Sequence, residues 1–444
     1  MRHFPALLLL SALCLAGARP SSAQTVVLDH VTLIDGAGGP PVQDAAIVIQ
    51  GHEIQAIGPS ASVSKPAGAR TIDYSGKTVV PGIINLHGHV GNTKGVNQDR
   101  KFFTRENVID NLQTYASYGV TMTTSMGTDE DLMIQIRDER NRGGFEGARV
   151  LTALQGFTTV GGYPTTAPGV KGVAQEVASA AQAKVWVDQT AKKGADLIKM
   201  WVDSHHGAFD KLGPELYGVI IKQAHKNKLP AFAHVYELGD AKGLVRAGID
   251  ILGHSVRDAP VDQEFIDMMK KNDVYYATTI TREESTFVYH TPPAWLTDPF
   301  FTKSVDAATI EAIKTDLKKA QASQEVVEQG HDDLAMAMQN AKRLVDAGVN
   351  VAFGTDSGPA GRFPGYFEHW EAELLVEAGV KPMRVIEAWS KYSSKALRVD
   401  KQFGTLEKGK NADLIVLDAN PLDDIRNTRK IHAVYIDGKK FDKK

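Results

Sequence analysis

From Thr25 to about residue 80 the chain alternates apolar and polar positions in short runs. "TVVLDHVTLIDGAGG", "DAAIVIQGHEIQAIGP" and "ARTIDYSGKTVV" are set apart by glycine-containing turns. This period-two pattern predicts short antiparallel strands. The C-terminus returns to the same texture in "GTLEKGKNADLIVLDAN" and "IHAVYIDGKKF". Strand-rich pieces at both ends predict one small β-sandwich domain built from residues 24–80 and 399–444.

The middle of the chain, 81–398, follows another rhythm. Helical spacing leads to a small or turn-forming break, and then to a short apolar strand that ends on something polar. The strands are "VVPGIINLH", "SYGVTMTTS", "ARVLTALQG", "KGADLIKMW", "NKLPAFAHV", "RAGIDILGHS", "KNDVYYATTIT" and "DAGVNVAFGTDSG". The breaks close predicted helices over Glu106–Ser117, Pro214–Lys226, Leu238–Arg246, Gln263–Lys271 and Leu334–Val345. Eight such units predict an α/β fold, a parallel (β/α)8 barrel of the TIM type, with reactive groups at the C-terminal strand ends. An open doubly wound sheet is the alternative, but no G-x-G-x-x-G follows the first strand. Residues 282–332, with the irregular "HTPPAWLTDPFF", are expected as a loop and helices over the barrel mouth.

Composition agrees with a large buried core. Of 444 residues, 43% are hydrophobic and 23% charged, with a formal charge of −3. Neither a dense basic run nor aromatic–basic interleaving is present, so the partner is a small molecule rather than nucleic acid. The first 23 residues, "MRHFPALLLLSALCLAGARPSSA", have a basic start, an apolar stretch and small residues at Ser21 and Ala23. They read as a cleavable signal peptide, cut after Ala23, which places the mature chain in the periplasm or outside the cell. The apolar run is shorter than the roughly 20 residues of a membrane span. Cys14, the single cysteine, lies in this leader and follows Leu13, which does not suit a lipoprotein site. The mature chain therefore has no disulfide and no thiolate ligand.

The strand ends carry the chemistry. His87 and His89 end the first strand, Lys199 lies on the fourth and His234 on the fifth; His254 ends the sixth and Asp356 the eighth. His87 and His89 are two apart, hence on one side of an extended chain, and Gly88 leaves space between them. Each residue has an ordinary structural alternative: a hydrogen-bonded histidine, a buried ion-pair lysine, a helix-capping aspartate. Converging in a barrel, they put four imidazoles, an amine and a carboxylate into one cavity, a donor set that suits zinc and similar divalent ions.

With "PGIINLHGH", "GADLIKMW", "FAHVYE", "DILGHS", "FGTDSG" and "GTLEKGKNADLIVLD", the chain resembles the amidohydrolase superfamily, nearest its prolidase and imidazolonepropionase-like branch. The resemblance implies that His87, His89 and Asp356 bind one divalent metal and that His234 and His254 bind a second. It also implies a CO2-derived carbamate on Lys199 that bridges both ions, zinc being the expected metal, and it is compatible with a homo-oligomer. Two such ions would lower the pKa of a bridging water, and Asp356 would carry its proton to the leaving group.

That chemistry predicts a hydrolase of amide or peptide-like bonds, on dipeptides or N-acyl amino acids. A lactam or lactone hydrolase, or a deaminase, is the alternative; a non-catalytic binding protein is disfavoured by the complete ligand set. Substrate contacts are sought in Tyr236, Arg257 and His205. Tyr236 either faces the cavity or packs on the rim. Arg257 either meets a substrate carboxylate or forms a surface pair with Asp258 or Glu237. His205 lies in "WVDSHHG" beside Asp203 and His206. Dipeptidases resembling this branch carry a histidine after the third strand, whereas "LQGFTTVGGYP" has none.

Overall fold

A computed structural model describes residues 25–165 and 169–442; the expected leader and its cleavage site lie outside them. The sequence and the structure agree on a mixed α/β architecture with three main sheets. Among the described residues no helix is long and apolar enough to cross a membrane.

Both chain ends meet in one sheet. Thr25–Leu33 pairs with Val42–Gln50, which pairs with Glu53–Pro59. Thr78–Pro81 lies between Thr25–Leu33 and the C-terminal strand Leu414–Leu417, which in turn pairs with Ile431–Ile436. The sheet departs from the expected antiparallel pattern. Thr25–Leu33 runs parallel to both Arg70–Asp73 and Thr78–Pro81, because the chain crosses over between them instead of turning back at once. Hydrogen bonds join these seven strands and the short Lys439–Lys440 into one eight-stranded sheet, whereas alternation along the chain pointed to a sandwich of two. Alternation specifies which face is buried, not how many ladders share it. Leu28, Ile47, Val79, Leu414 and Tyr435 from both ends share one core.

The middle of the chain supplies parallel strands. Ile83–Gly88, Val120–Ser125 and Arg149–Thr152 form one parallel sheet. Ile198–Val202, Ala231–Val235, Ile251–Gly253, Tyr275–Ala277 and Asn350–Ala352 form a second, in that order. All eight expected strands are present. Two more, Phe157–Thr159 and Gln175–Val177, extend the second sheet; only three residues each, they are too short for a periodic signal. The two sheets touch at both margins. Leu86 N donates to Phe353 O, and Asp196 N donates to Thr152 O.

Helices fill the connections, with ends set by local chemistry. Thr104 accepts from Asn107 N to start Arg105–Ser117, and Asp262 accepts from Phe265 N to start Gln263–Lys271. Pro214 opens Pro214–Lys226, and Gly248 in the left-handed region closes Leu238–Ala247. The expected helix Leu334–Val345 is the C-terminal half of a longer one, Gln324–Asp346. Before it, residues 282–323 form short helical turns, among them Pro299–Thr302 and Ala307–Ala312. After the last parallel strand comes Tyr366–Glu377, most of whose residues are buried, including Glu368, His369 and Glu371.

Candidate metal centre

The parallel strands deliver their polar ends to one place. Ladder register sets Trp201 beside His234 and His234 beside Gly253, so Lys199, His234 and His254 come from neighbouring strands. Two glycines admit the lysine stem: a Cβ on Gly127 would lie 2.9 Å from Lys199 Cγ, and one on Gly156 would lie 2.4 Å from the Trp201 ring. At Gly88 the space is used differently from the expected gap between the two histidines: a Cβ there would stand 2.9 Å from both Thr123 Oγ1 and Tyr115 OH.

His87, His234, His254, Lys199 and Asp356 are all buried, and His89 is partly so. Asp356 is the hub. Its Oδ1 lies 3.4 Å from His87 Nε2 and 3.0 Å from His89 Nε2, and its Oδ2 lies 3.9 Å from His254 Nε2. Ring centres of His87 and His254 are 4.5 Å apart, and those of His234 and His254 are 4.4 Å apart. His87, His254 and Asp356 offer donor atoms close enough together for one ion.

The histidines are held from behind. His89 Nδ1 meets Thr128 Oγ1 at 2.9 Å, and His254 Nδ1 meets Thr279 Oγ1 at 2.6 Å. His234 Nε2 is 2.7 Å from Asp203 Oδ2. One nitrogen of each ring is thereby engaged and the other is left as a donor, the usual way a metal-binding imidazole is oriented. His87 differs: its Nδ1 is buried without a hydrogen-bond partner.

Electrostatics keep the donors in ligating forms. Burial drives His87 and His254 well below the ordinary histidine range, and His234 down to about 3 although Asp203 opposes it. Burial works against the Asp356 charge too, but Arg362 beside it, with His87 and His89, holds its carboxyl well below the usual range. Arg362 Nη1 contacts Asp356 Oδ2 directly. Burial also lowers the Lys199 amine to about 7 against the pull of Asp356. Its Nζ is buried without a hydrogen-bond partner, 4.4 Å from the Phe232 ring centre. A buried lysine with no acceptor is costly unless it changes form. The residues therefore fit a cation site: neutral imidazoles and an ionised carboxylate, with a buried amine beside them.

The three candidate substrate contacts fare differently. Tyr236 donates to Asp333 Oδ1 at 3.0 Å, which ties its hydroxyl to the helix Gln324–Asp346. Arg257 lies 3.0 Å from Glu283 in a fully buried pair and covers the Tyr236 ring. This corrects the expected surface pairing, because Asp258 accepts from Leu238 N and Glu237 takes Lys211. His205 stays close to the centre: its ring lies 3.9 Å from Tyr163 and 6.1 Å from His234, and its Nε2 is 3.6 Å from Asp203.

Sequence reasoning missed Tyr163, Arg362 and the pairing of Asp203 with His234. Tyr163 comes from "VGGYP", the stretch noted for lacking a histidine, and its ring centre is 5.8 Å from that of His234. Asp203 follows Lys199 by four positions, and its carboxylate reaches over to the next strand's histidine.

The chain matches the Amidohydrolase family over residues 78–441. It is 24% identical to an ochratoxinase of Aspergillus niger, across 94% of this chain and 86% of that protein. An imidazolonepropionase of Micrococcus luteus is 23% identical across 89% of this chain and 93% of its own length. A solved Xaa-Pro dipeptidase with methionine bound in the active site shares the fold, with TM-score 0.76 at 22% identity, covering 95% of this chain and 100% of its own.

Proposed function

Since the chain belongs to the amidohydrolase family, we propose that it is an exported two-metal hydrolase of amide or peptide-like bonds in small substrates such as dipeptides or N-acyl amino acids. Hydrolysis of carbon–nitrogen bonds follows from the family and its relatives. The observation that carries the two-metal reading is the gathering of His87, His89 and His254 on Asp356, next to a buried Lys199 amine without a partner. The same reading takes the parallel strands as one closed (β/α)8 barrel, in keeping with the Leu86–Phe353 and Asp196–Thr152 hydrogen bonds between the sheet margins.

His87, His89 and Asp356 would hold one divalent ion and His234 and His254 the other, with zinc the natural choice for this donor set. Carboxylated by CO2, Lys199 would present an anionic oxygen to both, which a free ammonium cannot do. Bound there, the ions supply Lewis acidity and an activated water at neutral pH. Asp356 is the proton carrier: a carboxylate oxygen takes the proton of the attacking water and passes it to the departing nitrogen. Asp203 keeps His234 oriented. Tyr163 and His205 border the space where the acyl group would lie, which makes them the substrate contacts to test; Tyr236 and Arg257 support that wall through Asp333 and Glu283.

A ring-opening hydrolase is the second reading, favoured by the match to imidazolonepropionases. Metal analysis of the purified protein, coupled to a panel of dipeptides, N-acyl amino acids, lactams and lactones, decides between them. Two ions per chain with cleavage of a linear amide supports the first reading, and cleavage of cyclic substrates alone supports the second. One ion or none, with ammonia released, overturns the two-metal assignment.

A further inference from the structure

Two glutamates of the helix Tyr366–Glu377 are fully buried although neither contacts an arginine or lysine in an ion pair among the described residues. They are three positions apart and so share a helix face. Glu368 Oε1 accepts from Asn85 Nδ2 at 2.7 Å, Thr355 Oγ1 at 2.8 Å and Ser357 Oγ at 2.6 Å. Its Oε2 accepts from Gly365 N at 2.6 Å. Every side chain in that set belongs to a residue that flanks the carboxylate hub or bonds the backbone of the first histidine. Thr355 and Ser357 flank Asp356, whose backbone is in the left-handed region, φ 56°, where a residue with a Cβ needs support. Asn85 Oδ1 accepts from His87 N at 3.0 Å, and His87 O accepts from Asp356 N at 2.7 Å.

Glu371 makes a parallel set one turn along. It accepts from Thr278 Oγ1 at 2.6 Å, Ile280 N at 2.9 Å, and both N and Oγ1 of Thr281 at 2.8 Å. Those residues flank Thr279, again left-handed at φ 47°, whose hydroxyl meets His254 Nδ1. Thr278 O also accepts from Ser255, next to His254, at 2.5 Å. A helix surface charge is normally solvated, so two carboxylates spent on buried donors from the strand end at Asn85 and from the loops around Asp356 and Thr279 point to a task in those segments.

We propose that this helix is a two-pronged clamp: Glu368 positions Asp356 and His87 for one metal ion, while Glu371 positions His254 for the other. The clamp rests on the two-metal assignment above. Glu368 and Glu371 are positioning residues, since their carboxylate oxygens bond the segments that carry the candidate ligands rather than the ligand side chains themselves. Their separation makes the effects of the two prongs separable. Replacing either carboxylate by an amide turns one acceptor into a donor that faces other donors, so the loop it serves loses its fixed shape.

The test is a titration of metal-free protein with CoCl2, followed by the visible absorption of the bound ion, with wild type giving two binding steps. Glu368→Gln is expected to weaken one step by about 10–100-fold, the loss typical of a missing outer partner. Glu371→Gln is expected to weaken the other step similarly, each variant still melting cooperatively, with kcat reduced and KM within about twofold of wild type. Equal weakening of both steps by each variant, or two unchanged steps, overturns the clamp. If a glutamine variant does not fold, Ser357→Ala, which removes the bond to Glu368 together with those to Tyr115 and Asn85, and Thr278→Val, which removes the bond to Glu371, carry the same asymmetry at a few-fold amplitude, and its absence there is equally decisive. A wild type with a single step overturns the two-metal assignment and the clamp with it, whereas two wild-type steps with symmetric variants leave the assignment standing.

Discussion

Lys199 stands between Phe232 and Trp201, with its stem threaded past Gly127 and Gly156, where an ammonium has no hydrogen-bond acceptor among the described residues. Under the proposed two-metal reading, that buried amine is the one carboxylated by CO2. Lys199→Ala is therefore expected to take up one ion or none and to lose turnover; full activity with two ions would remove the lysine from the site. Asp356→Asn should keep the shape of the loop and much of the metal, yet lower kcat by two orders of magnitude or more, on the scale of a lost general base. A near-normal kcat in that variant would take proton transfer away from Asp356. The candidate ligands were legible as a cluster because each interrupts an apolar strand whose polar end faces the same side. Tyr163 and Arg362 were not, because they sit in irregular segments where only the folded chain decides which way a side chain faces.

At the level of elements, apolar runs and their stop signals located all eight parallel strands and five helices, two of them to the residue, while Leu132–Asn141, Ala180–Lys193 and Tyr366–Glu377 were not named. Pro214–Lys226 and Gln263–Lys271 match their expected bounds, the first opened by proline and the second by an aspartate cap. Asp262→Ala should accordingly cost about 1 kcal/mol in chemical denaturation, the worth of a lost side-chain cap. An unchanged midpoint would mean that Lys242, which also binds Asp262, takes over the stabilisation by pairing with Glu264 alone. Tyr366–Glu377 shows where such reading ends. Its "YFEHWEAELLVE" carries charges that an isolated helix would show to water, and only the surrounding loops turn Glu368 and Glu371 inward. Likewise, alternation identified the terminal strands but not their mixed pairing, which depends on where the intervening chain crosses.

For the whole molecule, the joint between the parallel strands and the terminal sheet is electrostatic as well as apolar. Arg149, on a parallel strand, contacts Asp413 and Asp437 of the C-terminal segment, with Arg140 also 2.9 Å from Asp437. Arg149 and Asp413 are both buried, so removing one strands the other's charge, a loss of about 3–5 kcal/mol. Arg149→Met should show that loss in a urea melt, and adding Asp413→Asn should recover a large part of it. A second joint is pH-sensitive. His369 sits between Tyr118 O and Thr428 Oγ1, and burial pushes it down to about 3 from an ordinary value near 6.5. Below pH 6.5 the unfolded chain takes up a proton that the folded one refuses, so stability is complete above that pH and falls as acid is added toward pH 3. His369→Gln should flatten this acid limb in thermal melts; parallel decline of both proteins would assign it to other groups.

The ladder between Thr78–Pro81 and Leu414–Leu417 sets a timetable as well as a shape. When the chain is made from its N-terminus, the inner strand of the terminal sheet must wait, one edge unpaired, while more than three hundred further residues emerge. The parallel units can assemble during that interval because their neighbours in space are neighbours in sequence. The last strands then slot in beside the first. The emergence of Leu414–Leu417 is thus the moment at which an exposed edge, open until then to any passing strand, is withdrawn from the crowd.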